Sequence, residues 1–101
     1  MNTEITRLVR NLNPRTFVND RQVALYDLIV GSQRHEDGWV PRSDIRVPVV
    51  AIRDLRRSDR GGLTVLCRTA SKLGRNVSDT HLYRLSTRHL TVSKIRRVFG
   101  V

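Results

Sequence analysis

The sequence predicts an α+β fold, and three observations carry that expectation. In the segments 2–12, 21–31 and 48–57 the apolar residues recur every three or four positions, the period of one helix face. From Leu63 the period falls to two in the runs LTVLCRT and HLYRLST, as in half-buried strands. The last segment, TVSKIRRVFGV, returns to helical spacing. A length of 101 residues fits one domain that buries a modest core without covalent staples.

Residues 2–12 set Ile5, Leu8, Val9 and Leu12 at helical spacing, and Asn13-Pro14 breaks the pattern because proline disfavours helix in the residue before it. Asp20 is the expected N-cap of a helix over 21–31. Val23, Ala24, Leu25, Leu28 and Ile29 form its apolar stripe, and Gly31 ends the pattern. The turn QRHEDG follows, and Trp39-Val40-Pro41 is long enough only for an isolated bridge strand. Trp39 reads as a core or strand-anchoring residue. Proline and Ser43 then open a short helix, 42–46, with Ile45 as its core residue.

The stretch VPVVAIRDLRRSDRGG at 47–62 admits two conformations. As a strand it would carry Pro48 in the middle of a ladder, where the missing N–H costs a hydrogen bond. As a helix over 48–57 it has Pro48 at the first position, where that N–H is not needed. Winding the segment at about 100° per residue gathers Pro48, Val49, Ala51, Ile52 and Leu55 in one arc. Val50, Arg53, Asp54 and Arg57 fall opposite, with Arg56 at the border. The helix accounts for every residue but Val50, and Gly61-Gly62 marks where it gives way to the strands.

Those strands flank the polar segment ASKLGRNVSDT, so they form an antiparallel hairpin with a long basic tip carrying Lys72 and Arg75. Cys67 alternates with Leu63 and Val65 and is expected in the core as a small hydrophobe. In the final segment Val92, Ile95 and Phe99 share the face of a C-terminal helix.

Charge is the strongest compositional signal. Nineteen basic residues, 17 of them arginine, stand against nine acidic ones, a formal net charge of +10. Self-repulsion of that size opposes compaction, and its usual counterpart is a polyanion, most often nucleic acid. Arginine adds geometry to sign, because its planar fork bonds phosphate and guanine edges in bidentate fashion.

Catalysis finds little footing. The chain has no GxxxxGK[ST] loop, GxGxxG turn, HExxH pair or GxSxG elbow. His35-Glu36-Asp37 reads as a solvated turn, and a single cysteine excludes a disulfide within the chain and a multi-cysteine zinc site. No enzyme activity, cofactor, metal or small-molecule effector is expected. No run of 18 apolar residues is present and MNTEITRLVR lacks an apolar signal core, so a cytoplasmic location is expected, with no membrane partner.

The ordered pieces ALYDLI, GWVPRSDI, VVAIRDLRR, TVLCRT and HLYRLS resemble a winged helix-turn-helix, a three-helix core plus a β-hairpin wing. The elements IRDLRR and LYRLS look like the recognition helix and closing wing strand of small bacterial and phage DNA-binding proteins. The resemblance covers about residues 20–87, leaving 1–19 as an N-terminal helix or arm and 88–101 as a C-terminal helix. The loop of the hairpin is longer than wings of this kind often have.

What the resemblance implies is helix 48–57 in the major groove of double-stranded DNA. Arg53 and Arg57 would then reach guanine edges, and Val50 a thymine methyl. Arg42, Ser43, Arg46, Arg56 and Arg60 would hold phosphates. Lys72 and Arg75 on the wing, within 70–80, would touch phosphate or the minor groove. The expected function is that of a sequence-specific transcriptional regulator, associated with the nucleoid when bound. Alternatives are a ribosome-associated RNA-binding protein and a protein-interaction module. A homodimer is expected from the amphipathic segments 2–12 and 91–99, because paired half-sites add affinity.

Overall fold

Helix α1 spans Thr3–Arg10 in the computed structural model, which describes residues 2–57, 59–69 and 81–101. Asn2 caps it, its side-chain oxygen accepting the Glu4 N–H at 2.7 Å. A single 3-10 turn, Pro14–Thr16, follows Asn13 and leads to helix α2, Asp20–Arg34. The cap of α2 is Asn19 rather than the expected Asp20. The Asn19 side chain accepts the Gln22 N–H at 3.1 Å, and Asp20 sits in the first turn, where the helix dipole favours a carboxylate.

Nor does α2 stop at Gly31. It continues to Arg34, and Gly31 serves close packing instead, since a Cβ there would stand 2.9 Å from Val40 Cγ1. That approach seats strand β1, Val40–Pro41, directly against the helix. Strands β2, Val65–Thr69, and β3, His81–Leu85, complete an antiparallel sheet in the order β1-β3-β2. Val40 lies opposite Tyr83, and Cys67 opposite Tyr83 on the other side.

Between β1 and the next helix the chain makes a 3-10 turn, Arg42–Asp44, where a helix over 42–46 is expected. Ile45 is buried nonetheless. Helix α3 then runs Val49–Arg56, one residue shorter at each end than the sequence suggests. Pro48 is the cap residue rather than the first helical one, and Arg57 leaves the helix in an extended conformation. The Leu55 carbonyl accepts the N–H of Leu63 at 2.8 Å, which folds the chain back instead of prolonging the helix. Ala51, Ile52 and Leu55 are buried, but Pro48 and Val49 of the same arc are exposed. The first turn of α3 extends past the edge of the core.

The core joins all three segments of the chain. Leu25, Leu28 and Ile29 from α2 meet Ile52 and Leu55 from α3, with Val40 and Leu85 from the sheet. Ile5 and Val9 of α1, and Ile95 and Phe99 of helix α4, Val92–Phe99, belong to the same core. Phe17 bridges α2 and α4, with ring centroids 5.4 Å from both Tyr26 and Phe99. Of the amphipathic segments that suggested a homodimer, Ile5, Val9, Ile95 and Phe99 are buried within the chain, whereas Leu8, Leu12 and Val92 are partly buried against the same core. On the opposite face of the sheet Trp39 packs with Leu82, as a strand-anchoring tryptophan would. Cys67 departs from expectation: burial along β2 stops at Val65, and the strand carries Cys67 out into solvent. Among the described residues no helix is long and apolar enough to cross a membrane.

Candidate nucleic-acid interface

The outward face of α3 presents Val50, 53% exposed, and the exposed Arg53 one turn further on. Val49 beside Val50 is 39% exposed, so the first turn of α3 offers a small apolar patch to solvent. The Arg53 guanidinium has no hydrogen bond or ion pair among the described residues, so its whole fork is available. Two basic residues, Arg53 and Arg56, occupy the last turn, where they complement the negative end of the helix dipole.

The other arginines assigned to this surface are tied to the fold. Arg42 donates Nη1–H to the Ile45 carbonyl at 2.6 Å and Nη2–H to the Val47 carbonyl at 2.9 Å. It thus braces the connection into α3. Arg56 donates to the Val65 carbonyl at 2.6 Å and straps α3 to β2. Arg46 grips Asp27 of α2 through Nε at 3.2 Å and Nη2 at 3.0 Å, and its backbone N–H joins them at 3.0 Å. Those bonds, and then the carboxylate's charge, raise the Arg46 guanidinium above its ordinary range. Its side chain stays 60% exposed, so its unused N–H groups still face solvent.

Arg57 is not on the helix face. It stands at the C-cap and forms an exposed fork on Asp59, at 3.2 and 3.3 Å. Asp54, three residues before Arg57 and placed to pair with it on a continuing helix, lies 4.0 Å from Arg60 instead. Ser43 is exposed on the 3-10 turn, ahead of Arg46. Lys72 and Arg75 lie outside the described residues. The structure therefore brings Val50 and Arg53 onto one helix face, with Ser43, Arg46 and Arg60 on flanking segments.

Two pairs that hold this region were not anticipated. Asp27 is buried to 8% exposure within the apolar stripe of α2, and a carboxylate between Ala24 and Leu28 was the available sign that it needed a partner. His35, expected in a solvated turn, has Nε2 3.0 Å from Asp44 Oδ2, joining the end of α2 to the 3-10 turn. Among the described residues no group of three or more histidine, cysteine or acidic residues is placed to hold a metal ion.

No protein-family model matches the chain, and no curated protein or solved structure shows significant similarity to it.

Proposed function

We propose that the protein is a sequence-specific binder of double-stranded DNA with a winged helix-turn-helix architecture, a transcriptional regulator of bacterial or phage type. The observation that carries this reading is the unengaged Arg53 fork beside exposed Val50 on α3, in a chain of net charge +10. The element order α2, β1, 3-10 turn, α3, β2, β3 supports the architecture, as does a sheet in which β3 lies between β1 and β2. One departure is the single 3-10 turn where the first helix of a helix-turn-helix would stand. Arg42 and the Arg46–Asp27 clamp take over the task of positioning α3.

In this reading α3 enters the major groove, Arg53 bonds a guanine edge and Val50 meets a thymine methyl. Arg46, Arg60 and Ser43 approach phosphates. Selection from a random duplex library is the direct test, and it should enrich a defined motif. Arg53→Ala should relax the preference at one position by about 1–3 kcal/mol. Arg60→Ala should weaken all duplexes alike and reduce the salt slope by about 0.9. Equal loss on selected and random duplexes in Arg53→Ala would remove Arg53 from base recognition. Preference for structured RNA over duplex DNA in direct competition would favour a ribosome-associated role instead.

A further inference from the structure

A cleft of about 380 Å³ opens between the end of α1, the end of α2 and the exit of β3, and no residue of α3 lines it. Arg10 and Arg84 face into it together with Thr6, Gln33 and Thr87. No lining residue carries a carboxylate, so the wall of this concavity holds two positive charges and no negative one. A second cleft, of about 300 Å³ beside α2, makes the contrast: its Arg34 and Arg46 are accompanied by Asp27 and Asp44.

The donors in the larger cleft are largely unspent. Arg84 has no hydrogen bond or ion pair among the described residues, and its Nε lies 3.6 Å from where a side chain on Gly38 would begin. The guanidinium thus rests over a residue that offers it no obstruction. Arg10 donates one N–H to Gln33 Oε1 at 2.6 Å, which orients the Gln33 amide and leaves its NH2 free to donate. The remaining Arg10 N–H groups and the threonine hydroxyls complete a donor-rich wall. Two planar forks approaching from different elements suit a tetrahedral oxyanion, which accepts bonds on several oxygens at once. The volume also exceeds what a lone carboxylate would fill.

We propose that this cleft binds a phosphoryl group, held between the forks of Arg10 and Arg84. The phosphoryl group could belong to a small phosphorylated molecule or to a nucleic-acid backbone passing this side of the fold. The inference stands apart from the DNA-binding proposal, since it uses neither α3 nor the connection before it.

The test is a nitrogen-15 NMR titration of the full chain with inorganic phosphate and with glycerol phosphate, against sodium chloride at matched ionic strength. Saturable shifts are expected at the amides of Thr6, Gln33, Gly38 and Thr87. Arg84→Gln should weaken binding about tenfold or more, the effect of losing a charged donor, and Arg10→Gln should act in the same direction. Arg88→Gln, an exposed arginine outside the cleft, should leave binding unchanged. Shifts that never saturate, that chloride reproduces, or that persist at full affinity in both cleft variants would overturn the proposal. If Arg84→Gln also lowers the salt slope on random duplex by about 0.9, the phosphoryl group comes from the backbone. An unchanged slope with lost phosphate binding identifies a free phosphorylated ligand.

Discussion

At the scale of single residues, arginine has two tasks in this protein that composition alone does not separate. Arg42, Arg46 and Arg56 donate to carbonyls and to a buried carboxylate, and they hold α3 in place. Arg53 and Arg84 have no such partner among the described residues. The difference lies in which acceptors the backbone brings within about 3 Å, and a linear sequence does not display that. Tyr83 is a second case. Burial pushes its phenol up from the ordinary value, Cys67 opposite it on β2 adds to the effect, and Arg42 opposes it. A raised folded-state value means the unfolded chain loses this proton first. Stability from neutral Tyr83 is therefore intact below about pH 10 and lost as pH rises from there through the folded value. Urea midpoints measured from pH 8 to 11.5 should fall at the alkaline end, and Tyr83→Phe should flatten part of that fall.

At the scale of elements, the helix ends depart most from expectation. Gly31 looks like a stop because glycine weakens a helix, yet α2 passes through it since the missing side chain admits Val40. Arg57 looks like the last member of an outward row, yet α3 has ended one residue earlier. Gly61 is the reason the chain can turn there: a Cβ on it would lie 2.6 Å from the Leu55 carbonyl oxygen, which is already accepting from Leu63. Gly61→Ala must push β2 away from α3 and should cost about 2 kcal/mol, an overpacking penalty. Chemical denaturation would measure it, and an unchanged midpoint would mean that the turn has slack. Because Arg56 straps these same two elements, the substitution should also weaken DNA binding in the proposed reading.

At the scale of the whole molecule, the ends of the chain are structural parts of one core rather than appendages. Ile5 is 1% exposed and Val9 and Ile95 are 0% exposed, so α1 and α4 close the core that α2, α3 and the sheet leave open. Ile5→Ala should therefore cost about 2–4 kcal/mol, as other large-to-small core changes do. Light scattering should give the same mass for this variant and the parent, because the Ile5 face is used within the chain. A drop in mass for the variant would instead place this helix in a dimer contact.

What the sequence by itself determined is the order and type of α1, α2, β1, α3, β2, β3 and α4, whereas the helix it predicts over 42–46 is a 3-10 turn. Hydrophobic period separated helices from strands, Pro48 excluded a strand at 47–52, and Trp39 was legible as an anchor. The angular sorting set Val50 and Arg53 outward and Ala51, Ile52 and Leu55 inward, but it misplaced Pro48, Val49 and Arg57, which stand at the ends of α3. These signals are local, and they are legible because each depends on neighbours within a turn or two of chain. The tertiary structure alone decided which arginines remain free, that Cys67 is exposed, that Gly31 is a contact rather than a stop, and that Arg10 and Arg84 share a cleft. Each of those depends on groups far apart in sequence, such as Asp27 with Arg46 or Arg10 with Arg84, which only packing brings together.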